Sequence, residues 1–449
     1  MRRRDTLKAV GGIAGASIIG SGAGSAKECT GDFIRPGGPF VPETANINYN
    51  SFTSNEKLYE TLEALADRSN LVYEPIGETW RGRPIPYARV DGGDTDVFYT
   101  AQQHGDENHV AEAALQLLRR FAAGGRRVDS ILDELTLHVV PRHNPDGWAP
   151  ADDNETPQRR NGRPDDICHD GPYFGENQCG PVDPNRQHYF GIDPDILEEA
   201  DGIDPDLIPD ENPSPETQAM LDKAEEVGAD MVMDFHHQFT LRNDDCELIN
   251  ASTLWPLNEA APEDAVDLSR QISAYSYQQT KDLGHTTWDT YPGGTTANIA
   301  RNGHGVRGRG SVLFEFRGQA PDLGNASKGR LVTVINTVMN ELLEGIGSGE
   351  LYDVDPADAD DIPPPRRLLL ERASTKRMGT GTRSLPRVSR AQPGPAHDFW
   401  KGYARRHAPP RVFSGRRVPS SAYSSEQRAT RRHPSHLPLR FPNSPASFP

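Results

Sequence analysis

Lysine is scarce in this sequence, and so is positive charge over most of its length. Only 8 of the 48 basic residues are lysine, and the formal net charge of the 449 residues is −17. Residues 361–449 carry 18 basic and 4 acidic residues, whereas residues 1–360 carry 30 basic and 61 acidic ones. So acidic a body argues against nucleic acid or anionic membranes as partners. Abundant Asp with little Lys also predicts a halophilic source.

Long apolar runs are absent after residue 26, so we expect no stable membrane insertion of the mature protein. Residues 1–26 contain a twin-arginine pattern, a weakly apolar stretch to Ile19 and small residues near Ser25. This order predicts an export signal of the twin-arginine type. The alternative, an apolar core helix, fits poorly with the glycines and the positive flank. We therefore expect a secreted or cell-surface protein.

Cysteine is rare, and the four residues Cys29, Cys168, Cys179 and Cys246 form no C-x-x-C spacing. Export permits disulfides. Cys168 and Cys179 flank a loop rich in Gly and Asp and are the best candidate pair. Cysteine ligation of zinc is the alternative.

The order of apolar segments predicts an α/β fold with a largely parallel sheet. Predicted strands end at Ala101, Val140, His236 and Phe316, and predicted helices cover about residues 108–123, 216–227, 262–282 and 329–344. Residues 148–213 have little periodicity, and so long a loop is typical of a functional segment.

Changes in composition along the chain predict the boundaries of its segments. Residues 27–50 are a polar lead-in, 51–350 the expected catalytic domain and 351–365 an acidic, proline-containing linker. Residues 366–449 are rich in Arg, Pro and Ser and predict a disordered tail. Its basic charge clashes with the acidic body. A shifted or extended reading of the gene end would explain it, and docking on the acidic body is the functional alternative.

The polar residues with the clearest chemistry follow two apolar runs. His104 and Glu107 form an H-x-x-E pair after residues 96–101, and His236 ends the run 231–236. Two imidazoles and a carboxylate suit catalytic zinc, which keeps a fourth position for water. The pattern indicates metal-assisted hydrolysis. His237 is the alternative ligand, but adjacent strand residues point to opposite faces, so only one of the two reaches the metal.

Four further motifs follow in a fixed order: residues 144–147 (NPDG), 159–161 (RRN), 183–186 (DPNR) and 314–317 (FEFR). With H-x-x-E and His236, the ordered set over residues 50–346 resembles the zinc metallocarboxypeptidases of the carboxypeptidase A and B type. The resemblance implies a single three-layer α/β/α domain with a mostly parallel mixed central sheet. It places the metal site at the carboxyl ends of strands, where open α/β sheets bind ligands.

The resemblance also implies a role for each matching residue. One zinc ion per chain would be held by His104, Glu107 and His236. Glu315 would be the general base, in an apolar strand where a carboxylate is costly unless it has a task. An ion pair with Arg317 is the structural alternative for it.

The arginines and their neighbours have implied roles as well. Arg159 would polarise the scissile carbonyl and stabilise the oxyanion, with Arg160 as the alternative in register. Asn185 and Arg186 would hold the terminal carboxylate of the substrate, since guanidinium forms a bidentate pair with carboxylate. Asp183 would orient a zinc-bound imidazole.

The substrate pocket departs from the family pattern. Tyr291 precedes a Gly-Gly turn and would cover the bound substrate, but the spacing is tighter than in the digestive enzymes. The pocket floor falls near Thr296, which predicts neutral or apolar terminal side chains. The expected partners are peptide or protein C-termini, and we expect a monomer.

Two other functions use the same residues differently. A related zinc deacylase or amidohydrolase would act on N-acyl amino acids or cell-wall peptides. A non-catalytic binding domain would require a missing ligand or base, and none is missing from the sequence.

Overall fold

The structure, a computed structural model, describes residues 51–148, 157–173, 175–238, 247, 249–283, 287–318 and 328–364. The expected export signal, lead-in and basic tail, together with Cys29 and Cys246, lie outside these residues. No helix in the described part of the chain combines the length and the apolar character needed to cross a membrane.

Among the described residues, ten strands form two sheets. They are β1 (Leu71–Glu78), β2 (Pro84–Val90), β3 (Thr95–Ala101), β4 (Leu135–Val140), β5 (Cys168–Gly171), β6 (Gly175–Cys179), β7 (Met231–Gln238), β8 (Ala251–Leu254), β9 (Trp288–Thr290) and β10 (Gly310–Arg317). The large sheet has the order β1-β2-β4-β3-β7-β10-β8-β9, and β5 pairs with β6. The four central strands β4, β3, β7 and β10 are parallel, as are β8 and β9, while the β1–β2, β2–β4 and β10–β8 pairs are antiparallel. The predicted α/β class with a mostly parallel mixed sheet is confirmed.

Nine α-helices accompany the strands in the part of the chain that the structure describes. They are α1 (Asn55–Ala66), α2 (Asn108–Ala123), α3 (Arg126–Leu132), α4 (Pro145–Trp148), α5 (Pro194–Asp201), α6 (Pro215–Glu226), α7 (Glu263–Thr280), α8 (Ala300–Val306) and α9 (Lys328–Ser348).

Helices cover both faces of the sheet, which gives three layers. On one face α1, α2, α7 and α9 contribute to the larger apolar cluster, which includes Phe121, Ile335 and the strand residue Phe235. On the other face α6 contributes Met220 to a second cluster with Phe98. β7 and β10 are buried along their whole length, as central parallel strands are, although both carry polar side chains among the apolar ones.

The first helix shows how the local sequence sets an element. The side chain of Ser54 caps α1 by accepting a hydrogen bond from the backbone N–H of Lys57 at 3.1 Å. Leu58 and Leu62, one turn apart, are buried against the sheet side of the helix. The start of α1 is therefore fixed by its own cap residue.

The acidic segment after α9 differs from the expected linker. Pro356–Asp361 forms a 3₁₀ helix that packs against α7, and Ala359 and Ile362 are buried. The side-chain Nε of Arg270 in α7 donates to the carbonyl of Pro356 at 3.0 Å. Residues 351–364 thus belong to the packed domain, because their few apolar side chains face inward and their carboxylates face outward.

The long loop between β4 and β7 contains more regular structure than its sequence indicates. Cys168 and Cys179 face each other across the β5–β6 hairpin and are joined by a disulfide, which confirms the predicted pair. Bridging closes a short loop and restricts the unfolded chain. The hairpin lies in the chain between Arg159 and Asp183, so it braces the loop that carries both.

Candidate active site

The site begins at the carboxyl end of β3, where the chain turns sharply. Gln102 has a φ of +59° and is the one non-glycine residue with positive φ among the described residues. Its side-chain Nε2 donates to the carbonyl of Gly105 at 2.8 Å, and Arg142 donates to its Oε1 at 2.8 Å. A strained residue held by buried partners is typical of functional loops. Here it directs the next residues, including His104, across the end of the sheet.

Two glycines let the H-x-x-E loop approach the NPDG loop. A Cβ on Gly105 would overlap the backbone of Gly147. Asn144 joins the two loops, since its Nδ2 donates to the carbonyl of Gln103 at 3.1 Å and its Oδ1 accepts from the N–H of Gly147 at 2.8 Å. The backbone packing of these motifs thereby fixes the position of the ligand pair.

Three buried side chains converge on one point. The metal-binding atoms of His104, Glu107 and His236 all lie within 4.8 Å of one another. His104 Nδ1 lies 2.8 Å from Glu107 Oε1, and His236 Nδ1 lies 3.0 Å from His104 Nδ1 and 2.9 Å from Glu107 Oε2. Among the residues that the structure describes, this is the one group of three or more such side chains suited to a metal ion.

The far side of each imidazole is held by a carboxylate. Nε2 of His104 lies 3.0 Å from Asp183 Oδ1, and Nε2 of His236 lies 2.8 Å from Asp234 Oδ2. Each Nε2–H donates to its carboxylate, so the Nδ1 lone pair is directed at the shared point. Zinc-binding histidines have this arrangement, in which the outer carboxylate fixes the tautomer and the ring orientation. Two neutral imidazoles and one carboxylate with these outer partners fit zinc.

His237 lies on the other face of β7, as the strand period predicts. Its ring is 4.9 Å from the ring of His109 in α2 and contacts none of the three converging atoms. Its backbone N–H nevertheless donates to Glu107 Oε2 at 3.1 Å. His237 therefore orients the glutamate through its backbone, whereas His236 presents its ring.

Glu315 stands beside this cluster because β10 is parallel to β7 with Glu315 in register with His236. The residue is 7% exposed, and its Oε2 has no hydrogen-bond partner among the described residues. Burial raises the pKa of Glu315 to about 7, and the negative charge of Glu107 adds to the shift. A carboxyl group with a pKa near neutrality can both take up and release a proton.

Arg159 reaches the same cluster from the long loop. Its Nε donates to Asp183 Oδ2 at 3.0 Å, and its Nη1 lies 3.8 Å from Glu107 Oε1, while the side chain remains 39% exposed. Arg160 points elsewhere and donates to the carbonyl of Pro181 at 3.2 Å. Burial alone would raise the pKa of Asp183, but surrounding cations, led by Arg159, hold it well below its usual range. Asp183 is thus a fixed anion between the arginine and an imidazole.

Asn185 and Arg186 follow Asp183 on a 3₁₀ turn, Pro184–Arg186. The side chain of Asp183 caps this turn by accepting from the N–H of Asn185 at 3.0 Å. Asn185 Nδ2 lies 3.3 Å from His236 Nε2, and its Oδ1 accepts from the N–H of Ala300 at 2.8 Å. The pair is therefore positioned between the histidine cluster and the start of α8.

Tyr291 completes the group of residues that the sequence singled out. Its backbone N–H donates to the carbonyl of Thr253 at 2.9 Å, which extends the edge of the sheet. Burial raises the pKa of the phenol above its ordinary value, and the nearby negative charge of Glu315 raises it further. The hydroxyl therefore stays protonated and can donate a hydrogen bond.

Sequence reasoning missed two residues at this site. Asp234 lies two positions before His236 on the same face of β7, so a D-x-H pattern at the strand period was the available signal. Arg301, in the first turn of α8, is buried near the Gly-Gly turn after Tyr291 and had no recognisable motif.

The fold and the site define a metal-dependent hydrolase of the α/β class, with its donor set at the carboxyl ends of β3 and β7. In a comparison with known protein families, residues 58–319 match the zinc carboxypeptidase family. The chain belongs to this family. It is a zinc metallocarboxypeptidase, and enzymes of this family act on the C-termini of peptides.

Solved structures with a similar fold include three carboxypeptidases. A metallo-carboxypeptidase from Burkholderia cenocepacia is 18% identical, with 66% of this chain and 69% of that chain covered and a TM-score of 0.44. One from Pseudomonas aeruginosa, in complex with (2-guanidinoethylmercapto)succinic acid, is 15% identical, with 65% and 69% covered and a TM-score of 0.42. The carboxypeptidase A from Helicoverpa armigera is 16% identical, with 66% and 75% covered and a TM-score of 0.45.

Proposed function

We propose that this protein removes the C-terminal residue of peptides with Glu315 as the general base and Arg159 as the oxyanion-stabilising group. In the same proposal, Asn185 and Arg186 bind the terminal carboxylate, and Tyr291 covers the substrate. The observation that carries the proposal is the register of β7 and β10. It sets an unpartnered, buried glutamate oxygen directly beside the His104–Glu107–His236 cluster.

His104, Glu107 and His236 would hold zinc, which when bound polarises a carbonyl and lowers the pKa of water to about 7. Glu315 then accepts the proton of the attacking water and delivers it to the leaving amine. Burial, which raises the pKa of Glu315, favours both transfers, because general acid–base catalysis works best when the pKa of the group lies near the operating pH.

Arg159 contributes a fixed positive charge where negative charge develops on the scissile carbonyl. Its Nε is held by Asp183 at 3.0 Å, so the guanidinium keeps its position without reorganising during the reaction. Preorganised charge of this kind is commonly the largest electrostatic contribution to catalysis. The exposure of the side chain leaves its remaining donors free to meet a substrate.

Arg186 and Asn185 explain why the last residue of a chain would be selected. Arg186 donates through Nη1 to the carbonyl of Asn185, and the described residues provide no carboxylate for it. A guanidinium group without an ion-pair partner, next to the reacting centre, suits a free α-carboxylate. An internal peptide segment offers no such group and would leave the cation unpaired.

The direct test compares two peptides that differ only at the C-terminus, one a free acid and one an amide. Zinc-loaded protein in molar salt should shorten the free acid residue by residue, as followed by mass spectrometry, and should leave the amide nearly intact. Equal cleavage of both peptides would contradict the proposal that the protein is an exopeptidase that recognises a free C-terminus. Hydrolysis of N-acyl amino acids with no peptide shortening would favour the deacylase alternative instead.

A further inference from the structure

Arg301 is a buried cation with few partners. It is 3% exposed and lies in the first turn of α8. Its Nε donates to the carbonyl of Trp255 at 3.2 Å, and its Nη2 donates to the carbonyl of Gly294. Within the described part of the chain Arg301 forms no ion pair, and its hydrogen bonds are those to the two carbonyls.

The turn after Tyr291 is built around this guanidinium group. A Cβ on Gly293 would lie 2.5 Å from Arg301 Nη2 and 2.5 Å from Leu254 Cδ2. A side chain at this position would displace the guanidinium group, so the turn packs directly against the arginine. The turn that presents Tyr291 to the substrate is the same turn that covers Arg301.

The start of α8 is also tied to the proposed carboxylate site. Ala300 precedes Arg301 and donates its backbone N–H to Asn185 Oδ1 at 2.8 Å. Arg301 is thus linked to the turn after Tyr291 through Gly294 and to Asn185 through its chain neighbour Ala300. In the proposed function, a terminal residue held by the Asn185–Arg186 pair would direct its side chain toward Arg301.

The charge of Arg301 is poorly compensated. Burial lowers its pKa to about 9, and the positive charge of Arg186 lowers it further. Arg142 shows how a structural arginine differs: its Nε, Nη1 and Nη2 donate to Gln102, Asn55 and Thr53, each at 2.8 Å. A buried cation without an anionic partner costs free energy unless a ligand supplies one.

Two other polar groups near the pocket do not supply that partner. The hydroxyl of Thr296, the position that the sequence indicated as the pocket floor, donates to Asn298 at 2.7 Å. The carboxyl of Asp289 is hydrogen-bonded to Ser252, and Arg301 is not among the groups that shift its pKa. The cation is therefore the unsatisfied group on this side of the site.

We propose that Arg301 is a specificity-determining residue that binds the side-chain carboxylate of a C-terminal Asp or Glu. In this arrangement Arg186 takes the α-carboxylate of the terminal residue and Arg301 takes the second one. The two neighbouring cations, which repel each other in the free protein, are each neutralised by one end of a dianionic residue. The inference rests on the proposed carboxypeptidase function and replaces the neutral preference expected from Thr296.

The first experiment uses the unmodified, zinc-loaded protein. Peptides that are identical except for a terminal Glu, Gln or Lys are compared by kcat/KM. Glu and Gln have the same shape, so their ratio isolates the charge. We expect Glu to exceed Gln by about 10- to 100-fold, as for a hydrogen bond to a charged group, and Lys to be poorest. Equal rates for Glu and Gln, or a preference for Lys, would overturn the inference.

The second experiment compares Arg301→Gln with the matched variant Arg307→Gln. Arg307 is a further arginine of this region that is hydrogen-bonded only to carbonyls, those of His188, Gly303 and Phe190. In Arg301→Gln the Glu/Gln ratio should fall to about 1, whereas Arg307→Gln should keep the wild-type ratio whatever its effect on stability. A uniform loss for all peptides in Arg301→Gln would assign it a merely structural role.

The two proposals fail in different ways. If no peptide with a free C-terminus is shortened, the carboxypeptidase function itself is wrong and this inference falls with it. If peptides are shortened without preference for acidic residues, only the role of Arg301 is wrong. The Glu/Gln preference of the unmodified protein distinguishes these two outcomes even if Arg301→Gln does not fold.

Discussion

The two faces of β7 and β10 show how one pair of strands serves both stability and chemistry. On the face toward α2 and α9, the rings of Phe235 and Phe314 stack with centroids 5.4 Å apart, and Phe316 lies 6.2 Å from Phe235. On the opposite face the same strands carry His236 and Glu315 side by side. Alternate residues in sequence thus belong to different parts of the molecule.

This comparison explains why a buried carboxylate and imidazole are tolerated here. The aromatic face buries apolar area, which stabilises both strands and fixes their register. Since the register is set from that face, the distance between His236 and Glu315 does not depend on their own interaction. The polar face can then keep an unpartnered oxygen on Glu315, at a free-energy cost that the other face offsets.

The largest expected effect comes from changing the base on the polar face. Glu315→Gln keeps the size of the side chain but removes its ability to accept a proton, so kcat should fall by about 10²- to 10⁴-fold. Zinc content, measured by atomic absorption, should be unchanged because Glu315 is not one of the three converging donors.

Glu341→Gln is the control for this prediction, since Glu341 lies on α9, away from the site. Its kcat should remain within about 2-fold of wild type, as is usual for a change distant from the chemistry. Wild-type turnover by Glu315→Gln would show that the base has been wrongly assigned.

A change on the aromatic face should separate stability from chemistry. Phe314 is fully buried between Phe235 and Trp288. Phe314→Ala should lower the free energy of unfolding by about 3–5 kcal/mol, because it removes apolar contacts and leaves a cavity. Denaturant unfolding measures this loss.

The same variant, assayed well below its melting temperature, should lose far less kcat than Glu315→Gln. If the kcat of Phe314→Ala fell as far as that of Glu315→Gln, the aromatic and polar faces would not act independently, and the distinction drawn between them would be wrong.

The sequence predicted the residues at the ends of the central strands well. His104 and His236 each follow an apolar run, so their place at the carboxyl edge of a parallel sheet follows from the periodicity alone. Glu315 was assigned from the resemblance to the zinc carboxypeptidases, and its place in an apolar strand, where a carboxylate is costly, supported the assignment. The structure brings His104 and His236 together with Glu107, and the strand register sets Glu315 beside them.

Features that depend on distant partners were not predictable in this way. β8 and β9 have four and three residues, and their place in the sheet is set by the pairing of β8 with β10 and of β9 with β8 rather than by their own pattern. Arg301 lies in a stretch without periodicity, and its significance depends on which carbonyls surround it. No local pattern encodes the lack of a carboxylate partner.

The smallest of these effects, and the finest test of the polar face, concerns Asp234. It holds Nε2 of His236 at 2.8 Å from the far side of the ring. Asp234→Asn removes the negative charge but keeps the shape, and loss of such an outer partner weakens metal affinity by about 10- to 100-fold. Because Asn still offers an oxygen to Nε2–H, we expect the lower end, about 10-fold, in competition with a chromophoric chelator.

His237→Gln, on the aromatic side of β7, is the matched control and should keep its zinc affinity within about 3-fold, since its link to Glu107 runs through the backbone. An equal loss in both variants would mean that the strand as a whole, rather than the carboxylate on its polar face, orients the imidazole.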